Sequence, residues 1–163
     1  MQIFDFEDDG FCFVNYVNLP ISKHYIIWET RNLQEIRKFM ENPEPFCFEK
    51  HLEFVKLLSR VNDRFYWAVF KGDKFIMSIN LHPICWIKDC AEWGIYANPL
   101  YAQRGISRKI SNIFFKHVKR TTSLNKINAK VKKENINSVR FHKNLDFLLT
   151  EQDELFFYFE KML

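Results

Sequence analysis

The run Ala91-Glu92-Trp93-Gly94-Ile95-Tyr96-Ala97-Asn98-Pro99-Leu100-Tyr101-Ala102-Gln103-Arg104-Gly105-Ile106-Ser107-Arg108-Lys109-Ile110 holds the residues best placed by spacing to do chemistry. It reads as a strand, a short turn and a helix whose first turn is cationic. Basic residues oppose the helix macrodipole at an N-terminus unless an anion sits there. The free N–H groups of that turn, with Gly105 permitting close approach, form a cradle for a phosphate. Arg104, Arg108 and Lys109 would add charge to it. A solvated basic helix end accounts for the same residues, and spacing alone does not separate the two. Metal chemistry has less support. Cys12, Cys47, Cys85 and Cys90 lack CxxC pairing, and no histidine pair has finger spacing, so no metal is expected. With no export signal, the thiols are expected to be reduced in a cytoplasm.

The elements that must position this run are legible from periodicity. Phe11–Leu19 mixes β-branched and aromatic residues and predicts a strand ending at Pro20. Ser22–Asn42 predicts a helix broken near Arg31-Asn32, and Glu49–Val61 a second with Leu52, Phe54, Val55 and Leu58 as its stripe. Arg64–Phe70 and Phe75–Leu81 flank a short Gly72 turn and predict a hairpin. Cys90–Ala97 is the next strand. Ile106, Ile110, Ile113, Phe114, His117 and Val118 recur at helical spacing beyond Gly105. Leu124–Val131 alternates as a strand, Asn135–Asn144 is a short helix, and Phe147–Leu149 and Leu155–Phe159 are two closing strands. The order β-αα-βββ-α-β-α-ββ predicts one α/β domain over residues 1–163, with a mixed sheet of about seven strands and about four helices.

The 163 residues are 47% hydrophobic and 27% charged, which suits a globular chain and not a disordered one. No apolar run reaches the ~18 residues a membrane span requires. Met1 to Gly10 is acidic where a signal peptide would be basic. The net charge of +4 conceals an uneven distribution. Residues 100–145 hold twelve Lys/Arg against one acid, Glu134, and the remainder twelve against nineteen, so +11 stands beside −7. A segment that basic attracts a polyanion or forms a solvated face.

Two motifs resemble those of the GCN5-related N-acetyltransferase family. Ala102-Gln103-Arg104-Gly105-Ile106-Ser107 is similar to its acyl-CoA-binding pattern [Gln/Arg]-x-x-Gly-x-[Gly/Ala], departing at the first and last positions. Asn135-Ile-Asn-Ser138-Val-Arg-Phe-His142-Lys-Asn-Leu-Asp146-Phe147 is similar to Asn-x-x-Ala-x-x-x-Tyr-x-x-x-Gly-Phe. The motif order and the whole element order agree with that fold. Within the family, Trp28-Glu-Thr-Arg31-Asn32 followed by Glu35–Met40, Phe48–Phe54 with His51, and Ala91–Tyr96 resemble the nucleotide-sugar N-acetyltransferases of pseudaminic acid biosynthesis, which serve flagellin glycosylation.

The resemblance implies acetyl-CoA as co-substrate and direct attack of a substrate amine within a ternary complex. It places the pantetheine arm along the strand at Ile95 and Ala97, where a main-chain N–H could polarise the thioester. The pyrophosphate goes on Gln103, Arg104, Gly105, Ile106 and Ser107, and Asn135 takes a cofactor hydrogen bond. His142 falls where the family places a tyrosine acid; it is either that acid or a solvated helix residue. Glu92 is either a base acting through water or a structural residue. Arg31 and His51 match contacts to a UDP-amino-sugar, where a cation suits the diphosphate, and Tyr96 lines the transfer site. Without the resemblance, His51 reads as a surface histidine and Arg31 as an ordinary ion-pair residue.

Other readings share the fold or the charge. The acceptor could be a protein N-terminus or another small amine, or the chain could bind acyl-CoA without turnover. Nucleic acid is not expected as a partner, because Phe114 and Phe115 sit on or beside a buried stripe instead of among the cations. Leu155–Phe159 suits either an internal strand or pairing with a second copy in a homodimer.

Overall fold

The computed structural model describes residues 5–163; part of the acidic opening read from Met1 to Gly10 therefore lies outside the described residues. Strands β1 (Phe6–Asp8) and β2 (Phe11–Asn15) lead through a single 3-10 turn, Tyr16–Asn18, into helices α1 (Ile21–Asn32), α2 (Gln34–Arg37) and α3 (Phe48–Leu58). Strands β3 (Phe65–Lys71), β4 (Lys74–Cys85) and β5 (Cys90–Ala97) follow. Helix α4 (Ile106–Thr121), β6 (Lys126–Lys132), α5 (Ile136–Asn144), β7 (Leu148–Gln152) and β8 (Phe156–Met162) complete the chain. The strands form one sheet in the order β1-β2-β3-β4-β5-β6-β8-β7.

The α/β expectation holds, with eight strands and five helices in place of about seven and four. The added strand, β1, carries too little apolar sequence to announce itself; Phe6 alone faces the partner strand, stacked on Phe13 at 4.2 Å. The first predicted helix breaks at Leu33, whose ψ of 132° is extended. The first predicted strand stops at Asn15, where the Asn side chain caps the 3-10 turn by accepting from Val17 N–H. Leu155–Phe159 falls largely within β8, an internal strand between β6 and β7, so it offers no edge to a second copy.

By its internal packing the chain divides into two compact units. The first comprises the described residues up to Asn80 together with Ile95–Ala102. Its core is Tyr16, Ile27, Leu58, Ala68, Phe70 and Phe75, with Phe54, Val55, Tyr66 and Tyr96 packed against it. The second comprises Leu81–Gly94 and Gln103–Leu163. There the predicted stripe of α4 buries Ile110, Phe114, Phe115 and Val118, and β6 alternates Ile127, Ala129 and Val131 inward. Each buried Ile, Val or Phe among them contributes about 1.5–3 kcal/mol. The parallel register of β5 on β6 covers Cys90, Ala91 and Glu92, paired with Lys126, Ile127 and Asn128, while β5 itself runs on to Ala97.

Candidate active site

In the first unit, α1 and α3 bring two histidines together. His24 Nδ1 lies 3.0 Å from His51 Nε2, and His24 Nε2 lies 2.9 Å from the Tyr16 carbonyl oxygen. A carbonyl only accepts, so His24 carries its proton on Nε2 and turns a lone pair at Nδ1 toward His51. His51 then donates from Nε2, and its own lone pair is on Nδ1. Both rings are buried, at 2% and 4% exposure, which contradicts the surface reading of His51. Burial, and then the repulsion that a protonated His24 would exert, pushes His51 down to about 4; burial also lowers His24. Both imidazoles are therefore neutral at pH 7. The Tyr16 hydroxyl shares hydrogen bonds with Ser78 Oγ at 2.6 Å and with the Tyr96 hydroxyl at 3.2 Å. Burial raises Tyr16, Tyr66 and Tyr96 above the usual phenol range, so all three stay protonated.

Arg31 belongs to the same unit. Trp28 Nε1 donates to the Phe46 carbonyl at 2.7 Å, and Asn32 holds Phe46 from both sides, donating to its carbonyl and accepting from its N–H. These two residues, four apart on one face of α1, fix the segment beside which Arg31 lies, 5.9 Å from the Phe46 ring centre. The guanidinium donates Nη2 to the Asn42 carbonyl at 3.3 Å. Its Nη1 is buried with no partner among the described residues, and no carboxylate pairs with it. The ionisable groups near it are the phenols of Tyr96, Tyr16 and Tyr66, all protonated, and burial lowers its pKa. It is a cation without its counter-charge, not the ordinary ion-pair residue of the alternative reading.

The second unit holds the phosphate turn and the two motif helices. Gly105 takes the left-handed region at φ 84° and starts α4 with no side-chain cap and no acidic residue in the first turn. A Cβ built there meets nothing within 4 Å, so the approach to the turn is open. Gln103, Arg104 and Gly105 are exposed, and Ile106 and Ser107 half-buried. Helix α5 is capped. Asn135 Oδ1 accepts from Ser138 N–H at 3.2 Å, which leaves both amide N–H donors of its side chain for a ligand. The helix ends in a Schellman motif: Phe147 N–H donates to the His142 carbonyl and Asp146 N–H to the Lys143 carbonyl, both at 3.1 Å. Asp146, where the family pattern has glycine, takes the left-handed φ of 62° that this motif demands.

His142 is 5% exposed, which contradicts the solvated reading. Its ring packs against Trp93 at 5.6 Å, Phe147 at 5.2 Å and Phe159 at 5.8 Å. Nδ1 donates to the Ser138 carbonyl at 2.8 Å, which leaves the lone pair on Nε2. Burial lowers its pKa. An acid acting through Nε2 would first have to be an imidazolium, the form this setting disfavours. Glu92 is half-buried on β5, registered with Asn128.

Arg31, His51 and Tyr96 thus fall in the first unit with the half-buried backbone of Ile95 and Ala97; Glu92, the Gln103–Ser107 turn, Asn135 and His142 fall in the second. Sequence reasoning passed over His24, Tyr16, Tyr66 and Ser78. His24 does leave a trace: it shares a helix face with Ile27 and Thr30, at 24, 27 and 30, and all three are buried. Among the described residues no group of three or more His, Cys, Asp or Glu converges as a metal site would need, and no helix is long and apolar enough to cross a membrane.

Residues 6–148 match the acetyltransferase (GNAT) domain, and the chain belongs to that family of acetyltransferases. The family reading drawn from the two motifs is borne out. Among individual relatives, the chain is similar to the acetyltransferase PseH of Campylobacter jejuni subsp. jejuni serotype O:23/36 (strain 81-176), 27% identical over 144 residues and 88% of each chain. Its fold is shared with the crystal structure of the Campylobacter jejuni N-acetyltransferase PseH in complex with acetyl coenzyme A, at TM-score 0.75, 23% identity and coverage of 93% of this chain and 98% of that one. It is shared equally with the spermidine N-acetyltransferase of Vibrio cholerae in complex with CoA and spermine, at TM-score 0.83, 17% identity and coverage of 95% and 96%.

Proposed function

We propose that the chain, as one acetyltransferase domain over residues 1–163, transfers acetyl from acetyl-CoA to the 4-amino group of a UDP-linked amino-dideoxy sugar. The acceptor is of the UDP-4-amino-4,6-dideoxy-N-acetyl-altrosamine type, and the setting is cytoplasmic pseudaminic acid biosynthesis for flagellin glycosylation. Attack is direct, within a ternary complex. The observation that carries this reading is Arg31, a half-buried guanidinium whose Nη1 is itself buried and unpartnered among the described residues, near neutral phenols. A buried cation is costly unless an anion joins it. The diphosphate of a sugar nucleotide supplies that anion in a geometry a guanidinium fork can grip. A polyamine would bring further positive charge to the same place, so the fold shared with the spermidine enzyme does not decide the acceptor.

Acetyl-CoA supplies, when bound, the activated acetyl thioester. The uncapped, glycine-started N-terminus of α4 suits its pyrophosphate, with the amides of Gln103–Ser107 and the cations Arg104, Arg108 and Lys109. The β5 backbone at Ile95 and Ala97, past the three residues registered on β6, offers N–H and C=O groups to the pantetheine arm. The free amide donors of Asn135 serve the same ligand. Glu92 takes the proton of the attacking ammonium through water. His142 is assigned to packing, with Nε2 an acceptor.

The test is acetyl-CoA turnover with the UDP-linked 4-amino sugar beside spermidine, together with the thermal shift produced by UDP. Turnover of the sugar nucleotide and a UDP upshift that Arg31→Ala removes support the reading. Turnover of spermidine alone, or no shift with UDP, overturns it.

A further inference from the structure

We infer that His24 is a positioning residue which fixes His51 as a neutral hydrogen-bond acceptor at Nδ1, so that His51 reads a hydroxyl or imide N–H of the acceptor and leaves the diphosphate to Arg31. This deepens the sugar-nucleotide reading above and rests on it. The argument runs through a single direction of donation. The Tyr16 carbonyl can only accept, so the His24 proton sits on Nε2; His24 Nδ1 can then only accept, so the His51 proton sits on Nε2. The lone pair of His51 is thereby placed at Nδ1. An ionised diphosphate has no proton to give to a lone pair, whereas a ribose or sugar hydroxyl and the imide of a uracil do. The expected cationic contact from His51 is replaced by a selective one.

The packing holds the pair in this state. The titratable groups that face His51 are His24 from α1 and Tyr16 from the 3-10 turn; Phe48 of its own helix stacks on it at 6.1 Å. Neither titratable neighbour carries a negative charge at neutral pH that would hold a second proton on the ring. Reversing the donation would set the His24 Nε2 lone pair against the Tyr16 carbonyl oxygen across 2.9 Å, and changing the His51 tautomer alone would set two lone pairs against each other across 3.0 Å.

Nitrogen-15 NMR of the unliganded full chain at pH 7 reads the tautomer directly, and steady-state kinetics read its use. The wild type is expected to show His51 protonated at Nε2 alone. His24→Leu is expected to mix the tautomers and raise KM for the UDP-linked amine about tenfold, as loss of a buried hydrogen-bond partner does, with KM for acetyl-CoA unchanged. His24→Gln carries both a donor and an acceptor amide atom and is expected to restore KM to within about threefold. A wild-type His51 protonated at Nδ1, or cationic at pH 7, overturns the inference. So does a folded His24→Leu enzyme with unchanged KM. The tautomer is measured without substrate; a chain that turns over no UDP-linked amine yet shows the Nε2 proton loses the sugar-nucleotide reading and keeps the relay.

Discussion

Two buried histidines, His51 and His142, have nearly the same exposure and opposite surroundings. His51 sits in a polar cluster of the first unit, bonded to another histidine and with the Tyr16 ring 6.0 Å away. His142 sits in an aromatic box of the second, bonded to a carbonyl of its own helix. The first presents a lone pair at Nδ1 and the second at Nε2, and burial keeps both neutral. Residue type and burial therefore do not decide what a histidine does; the acceptor that claims its proton does. By that criterion we assign the polar cluster to recognition and the aromatic box to packing, as the proposed function has it.

The sharpest way to separate the two regions is to empty each. Trp93→Ala should remove the wall of the aromatic box and destabilise the chain by about 3–5 kcal/mol in denaturant melts, as large-to-small core changes do. Arg31→Ala should leave the melt nearly unchanged and raise KM for the UDP-linked acceptor about 10- to 150-fold, the loss of a charged hydrogen bond worth ~1.5–3 kcal/mol. If Arg31→Ala instead unfolds the chain with no kinetic defect, the polar cluster is structural and the comparison collapses.

Acidification should act on both regions with one sign. The folded pKa of His51 is about 4 against an ordinary 6.5, and those of His24 and His142 are also lowered. As pH falls the unfolded chain takes up these protons first, so this stability is whole above about 6.5 and is lost as pH drops toward 4. Tm should fall between pH 7 and pH 5. His51→Phe should flatten that slope, and a slope no flatter in the variant would count against a neutral His51. His142→Phe, which keeps a ring in the box, should lower kcat less than about fivefold, where loss of a general acid would cost ~100-fold or more. A loss of that larger size would return His142 to the acid role.

Much of this was readable in advance because it is local. Cys90–Ala97 was read with the ends it has as β5, since β-branched and aromatic residues stop at Asn98-Pro99. The helix after Gly105 declared itself through its apolar spacing, and the α5 motif through residues that cap both of its ends. What stayed hidden depends on partners far along the chain. His24 and His51 are 27 residues apart, Tyr16 and Ser78 are 62 apart, and Tyr16 and Tyr96 are 80 apart. No periodicity spans such distances, so Tyr16 read as part of a strand and His24 as a residue without a role. The burial of His142 stayed hidden for a related reason: a motif position carries no information about which carbonyl will take the proton.

Tyr16 engages the cluster twice, with its carbonyl on His24 and its hydroxyl on Ser78 and Tyr96. One residue thus links a backbone acceptor to a phenol network. Substitutions at His24 and Tyr96 should therefore be epistatic. A double-mutant cycle of His24→Gln and Tyr96→Phe should depart from additivity by about 0.5 kcal/mol or more in stability, as residues of one network do. The practical consequence concerns altering the acceptor range: these positions must be varied together, because each single change alters the reference state in which the other is judged.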